Sequence, residues 1–152
     1  MITINKEFKW DMAHMLAEHQ GLCKNIHGHT YKMQVEIARE DNDLISQDKS
    51  SAGMIIDFKD LKNIVKEEVV EPLDHAFMYW ANSNDELEHE IAQLLKDHQR
   101  KIIEVDFRPT AENIANYAFN LLAESFAELE IKIVSLKVWE TPTSYAVAKG
   151  DI

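Results

Sequence analysis

Cysteine, glycine and proline are all scarce: the 152-residue chain has one cysteine, four glycines and three prolines. A lone cysteine excludes an internal disulfide, so Cys23 is either inert packing or chemistry. So few glycines leave no room for a flexible linker or a Gly-rich phosphate loop. Positive charge is scarce as well, with 16 Lys and Arg against 27 Asp and Glu and a formal net charge of −11. That balance argues against a general nucleic-acid binder, which needs a basic face to neutralise phosphates. An anionic substrate has to be captured locally against the global field, and Lys9, Lys24, Lys49 and Arg108 are the candidates. No apolar run approaches the roughly 20 residues that cross a bilayer. The N-terminal stretch "MITINKEFKW" alternates polar and apolar residues, unlike a targeting peptide, so a cytoplasmic protein with no membrane partner is expected. The length suits one domain over 1–152 with a core of its own.

What is present is alternation. Phe8, Trp10, Met12 and His14 share one face at period two, which predicts a strand over 2–14. His27, His29, Tyr31, Met33, Val35 and Ile37 predict a second strand, joined to the first by a loop over 15–26. A further short strand is read in "GMII". Asp57 caps a predicted helix that Pro72 stops, and "SNDELEHEIAQLLKDHQ" predicts a second helix. "KIIEVDF" reads as a short strand, and Thr110 caps a third helix. "KIVSLKVWE" and "SYAVA" close the chain as two strands around "TPT". Hairpins with intervening helices indicate an α+β fold with mostly antiparallel pairing.

The chemistry concentrates where the first two strands meet. Residues i and i+2 on a strand point the same way, so His27 and His29 present two imidazoles to one side, with Gly28 between them. His14 ends the partner strand. Three imidazoles with a fourth position open is the arrangement of a catalytic zinc. Cys23, in the loop that returns over this point, has three readings: a small buried hydrophobe, a thiolate catalyst, or a fourth ligand closing a structural site. His19, His89 and His98 read as solvated surface residues.

Asp74 and His75 suit proton transfer near neutral pH, but adjacent residues do not easily hydrogen-bond to each other, and an Asp in a turn after Pro72 is more often structural. Val134, Leu136, Val138 and Glu140 share one strand face, so Glu140 is either a carboxylate at a pocket edge, able to grip a paired N–H ligand, or a frayed strand end. Thr110 and Glu112 read as a helix cap and a first-turn acid.

Taken in order, "AH" at 13–14, "CKNIHGH" at 23–29, "DF" at 57–58, "LDH" at 73–75, "PTAEN" at 109–113 and "WETPTS" at 139–144 form a specific set. The chain resembles the 6-pyruvoyl-tetrahydropterin synthase and 6-carboxy-tetrahydropterin synthase family over about residues 8 to 148. The resemblance implies a tunnelling fold (T-fold), an antiparallel four-stranded sheet with helices packed on one face. It also implies a homohexamer, a dimer of trimers, with sites at subunit interfaces and one zinc ion per subunit. On that resemblance His14, His27 and His29 match the metal ligands, and Cys23, Asp74 and His75 the catalytic residues, the last two supplied by a neighbouring subunit. Glu140 matches the carboxylate that anchors the pterin, and Thr110 and Glu112 match the rim of its pocket.

The implied reaction is a zinc-dependent lyase reaction on 7,8-dihydroneopterin triphosphate. It gives 6-carboxy-5,6,7,8-tetrahydropterin, acetaldehyde and triphosphate for 7-deazaguanine and queuosine synthesis. The alternatives are a 6-pyruvoyl-tetrahydropterin synthase and a non-catalytic zinc- or pterin-binding domain. The stretch from Tyr79 to Arg108 is longer than compact bacterial members of the family require, and is expected to shape the pocket mouth or a trimer contact.

Overall fold

The alternation at the N-terminus folds as read. In the computed structural model, which describes residues 1–151, β1 spans Ile4–His14 and buries Phe8, Trp10, Met12 and His14 while exposing Lys9 and Asp11. Ile152, the last residue of the expected domain, lies outside the described residues. β2 (His27–Arg39) pairs antiparallel with β1 from Ile4 opposite Ile37 to His14 opposite His27. This register sets all three histidines at one end of the hairpin, on the face that carries Tyr31 and Met33 into the core. "GMII" is the exception, lying in turns and bends rather than a strand.

Asp57 accepts from the Lys59 N–H at 2.7 Å and starts α1 (Phe58–Val65), which buries Leu61 and Val65. A widened turn, Lys66–Val70, carries the helix into α2 (Glu71–Leu73). Pro72 therefore sits inside the last turn, where its missing N–H costs a single bond, and the helix ends at Leu73, one residue later than expected. β3 (Ala76–Trp80), α3 (Glu86–Asp97) and β4 (Ile102–Val105) follow. Thr110 caps α4 (Ala111–Ala127), and β5 (Ile131–Thr141) and β6 (Ser144–Lys149) close the chain.

The sheet corrects the expectation of four strands. Among the described residues it has six, in the order β4-β3-β1-β2-β5-β6. The expected antiparallel set is present as β1, β2, β5 and β6. β3 pairs parallel with β1, and β4 parallel with β3. The physical reason is the long stretch after Asp74. A parallel neighbour needs a crossover, and α3 supplies it between "AFMYW" and "IIEV". "AFMYW" carries no alternation because both of its faces are buried, which hid it from a period-two reading.

Helices on one face is corrected too. Met12 and Met78 join the main core with residues of α1 and α4. Ala13, Phe77 and Tyr79, on the reverse side, pack with Ile91, Ala92 and Leu95 of α3. α3 thus covers the second face at the β3–β4 edge. On the main face α4 lies over β5 and β6 and buries Ile114, Ala115, Ala118, Leu122 and Phe126, an apolar stripe at helical spacing.

Candidate metal centre and ligand pocket

The His14 side chain is fully buried, and its Nδ1 lies 2.7 Å from the Pro109 carbonyl oxygen, just ahead of α4. His27 Nδ1 lies 2.8 Å from the Asn25 carbonyl oxygen. A carbonyl can only accept, so both Nδ1 atoms carry the proton and both Nε2 atoms expose lone pairs. Those two Nε2 atoms face each other at 3.0 Å. In the neutral rings no proton lies between them. Burial, above all, lowers the His14 pKa from 6.5 to about 4, aided by His27 and His29 and opposed by the Pro109 hydrogen bond. His29 is lowered too, again chiefly by burial, so both rings are neutral at neutral pH, which is the form that binds metals.

Glu140 completes the convergence. Its Oε1 is buried with no hydrogen-bond partner and lies 3.6 Å from His14 Nε2 and 3.7 Å from His29 Nε2. A buried carboxylate oxygen without a donor is costly. One donor nitrogen from each of His14, His27 and His29 lies within 4.8 Å of the other two. The facing lone pairs of the imidazoles form a donor set that suits zinc, and the orphaned carboxylate oxygen beside them is free to accept from a ligand N–H. Gly28 lets the strand ends close here, since a Cβ would lie 3.2 Å from the Met12 carbonyl oxygen.

Glu140 lies where the β5–β6 register shifts between Trp139 and Thr141, and β5 carries a second irregularity nearer its start. The register with β2 shifts between Glu36 opposite Ser135 and Ile37 opposite Ile133. Val134 is therefore displaced from the stripe expected for it. Leu136 and Val138 stay buried, with Glu140 following at the same spacing.

A cavity of about 250 Å³ adjoins the cluster and is lined by Leu16, Thr110, Glu112, Glu140, Tyr145 and Ala146, among others. Thr110 Oγ1 accepts from the Asn113 N–H at 3.3 Å as the cap of α4, and Glu112 is exposed in its first turn. The pocket thus brings three of the expected binding residues together, with Glu140 on the wall it shares with the histidines.

Cys23 lies half-buried in a single 3-10 turn, Leu22–Lys24, held over the hairpin end by a bond from the Leu16 N–H to the Cys23 carbonyl. Among the described residues it does not join the His14–His27–His29 group. Arg108 is used elsewhere, donating at 2.7 Å to the Ala17 carbonyl of the same loop.

Asp74 and His75 form a second cluster with Asp11. Asp74 Oδ1 accepts from the Asp11 N–H at 3.0 Å and pairs with His75 Nδ1 at 3.0 Å. The Asp11 hydrogen bond first, and then His75, hold the Asp74 carboxyl below its usual range. Adjacent side chains seldom meet, and a left-handed backbone at His75, φ 62°, accompanies this direct contact. His75 lines a cleft of about 390 Å³ with Asp11, Met12, Ala13, Gly28, His29 and Thr30. Among the described residues the pair groups with Asp11 and not with the three histidines, although His29 lines the cleft that His75 shares.

Sequence reading missed the supporting partners. The Pro109 and Asn25 carbonyls fix the tautomers, and backbone acceptors leave no trace in residue type. Tyr31 was placed on the right face but given no role. Its hydroxyl lies 3.4 Å from His14 Nδ1, and burial together with the neighbouring Glu140 charge pushes its phenol far above the usual range. His89, expected at the surface, is half-buried between the Tyr79 hydroxyl and the Ser83 carbonyl.

Comparison with known proteins now names the class. The family model for 6-pyruvoyl tetrahydropterin synthase matches residues 3–151, and the chain belongs to that family. Among its relatives, the 6-carboxy-5,6,7,8-tetrahydropterin synthase of Haemophilus influenzae is 48% identical over 145 residues, covering 95% of this chain and 96% of that protein. The enzyme of the same name from Rickettsia conorii is 30% identical over 147 residues, covering 95% and 98%. In fold the chain is similar to a protein of Wolinella succinogenes, with TM-score 0.77, 23% identity and 99% and 98% coverage. The 6-pyruvoyl tetrahydropterin synthase of Caenorhabditis elegans has TM-score 0.64 at 22% identity, with 99% and 96% coverage. These structures show the T-fold and no more.

Proposed function

We propose that this chain is a zinc-dependent 6-carboxy-5,6,7,8-tetrahydropterin synthase acting as one T-fold unit. With one water it converts 7,8-dihydroneopterin triphosphate to 6-carboxytetrahydropterin, acetaldehyde and triphosphate for 7-deazaguanine synthesis. The observation that carries this reading is the facing pair of His14 and His27 Nε2 atoms at 3.0 Å with Glu140 Oε1 orphaned beside them. The 48% identity to a relative of that name supports it.

His14, His27 and His29 hold the zinc. Bound there, the metal supplies Lewis-acid stabilisation of negative charge on a substrate oxygen. Glu140 accepts from the amino group and ring N–H of the pterin, while Thr110 and Glu112 shape the rim. Cys23 as thiolate and His75 as its partner in acid–base work take and return protons at the side-chain and ring carbons. Asp74, 3.0 Å from His75 Nδ1, fixes that ring's tautomer. Because Asp74 and His75 group with Asp11 rather than with the three histidines, a complete site on this reading joins one subunit's metal to a neighbour's pair. A hexamer built of two trimers fits that need. A cytoplasmic location belongs to the same reading. Among the described residues no helix is long and apolar enough to cross a membrane.

The Cys23→Ala variant tests the assignment. It is expected to keep zinc and assembly while acetaldehyde release falls by at least two orders of magnitude. Loss of zinc from this variant would make Cys23 a ligand of a closed structural site and defeat the catalytic reading.

A further inference from the structure

Within the stretch from Tyr79 to Arg108, Lys101 just ahead of β4 makes contacts that run back to the Asp74–His75 turn. Lys101 Nζ donates to the Glu71 carbonyl at 2.5 Å and to the Asp74 carbonyl at 2.6 Å. A basic side chain on the last carbonyls of a helix is ordinary capping, and the Glu71 contact needs no other account. The Asp74 contact is different. That carbonyl belongs to the peptide joining Asp74 to His75, and the N–H of the same peptide donates to the Asp11 carbonyl at 2.7 Å. Both ends of one peptide plane are therefore held, and the orientation of that plane sets the backbone angles on either side of it. His75 sits just after it at φ 62°, a conformation a β-carbon disfavours and surroundings must impose. The Lys101 carbonyl also accepts from the Phe77 N–H at 3.1 Å, so the same residue grips the chain on both sides of His75.

We propose that Lys101 is a positioning residue: it fixes the Asp74–His75 peptide so that the imidazole stays paired with the Asp74 carboxylate. The β3-α3-β4 unit thereby supports the proton-transfer pair. The catalytic part of this inference rests on the function proposed above; the structural part does not.

The test compares Lys101→Met and Lys101→Arg with the wild type in the intact protein. In Lys101→Met the His75 amide is expected to exchange with solvent at least tenfold faster. Its kcat should fall at least tenfold with KM within about twofold, at unchanged zinc content. Lys101→Arg, which keeps a charged donor, should restore both. A His75 amide as protected in Lys101→Met as in the wild type would overturn the inference, as would a fall in KM-dependent terms alone. Should the wild type show no turnover, the proposed function fails, and the exchange comparison still decides this one.

Discussion

Acidifying the metal-free protein probes the buried imidazoles directly. His14 has a native pKa of about 4 against 6.5 in an unfolded chain. Above pH 6.5 both states hold it neutral and no dependence arises. Between pH 6.5 and 4 the unfolded chain takes up a proton that the native state refuses, so stability falls as pH falls. At pH 5 the loss from this group is about 2 kcal/mol, which for a domain of this size is roughly 4–8 °C in Tm. The groups facing His14 are His27, His29, Tyr31 and Glu140, with the Pro109 carbonyl behind it. His29, also lowered, adds to the loss with the same sign. Urea unfolding of chelator-treated protein at pH 7.5, 6 and 5 measures it, and His14→Asn should flatten the curve. Stability unchanged or rising toward pH 5 would refute the reasoning. It would mean that a proton is shared between His14 and His27, and that the two nitrogens do not present free lone pairs.

Two further outcomes follow from the geometry. His27→Ala and His29→Ala should each abolish stoichiometric zinc binding by metal analysis without collapsing the fold, since neither side chain lies in the main core. Gly150→Ala should destabilise the protein by about 1–3 kcal/mol and weaken pterin binding. A Cβ there would lie 2.0 Å from the Ile133 carbonyl oxygen and push away β6, which carries Tyr145 and Ala146 into the pocket. Denaturant unfolding and a pterin titration read the two effects.

The hairpin and its three histidines were legible because strand alternation is a local signal with a strict period. His14, His27 and His29 share one face by spacing alone, and the register then places them at one end. Asp57 and Thr110 were legible as caps for the same reason, since a cap is a residue type at a fixed offset. β3 was not, because Phe77 and Met78 are buried on opposite faces and the segment shows no period. The side taken by α3 follows from that hidden strand. The bulge at Val134 was equally silent, because an extra residue in a strand changes parity without changing composition. The direct Asp74–His75 contact depended on a left-handed backbone at a non-glycine residue, which tertiary contacts impose.

The central claim is tested most directly by incubating the zinc-loaded protein with 7,8-dihydroneopterin triphosphate and analysing every product. The account predicts 6-carboxy-5,6,7,8-tetrahydropterin, acetaldehyde and triphosphate in equal amounts. A 6-pyruvoyl product without acetaldehyde, or no turnover by folded, zinc-loaded protein, would contradict it.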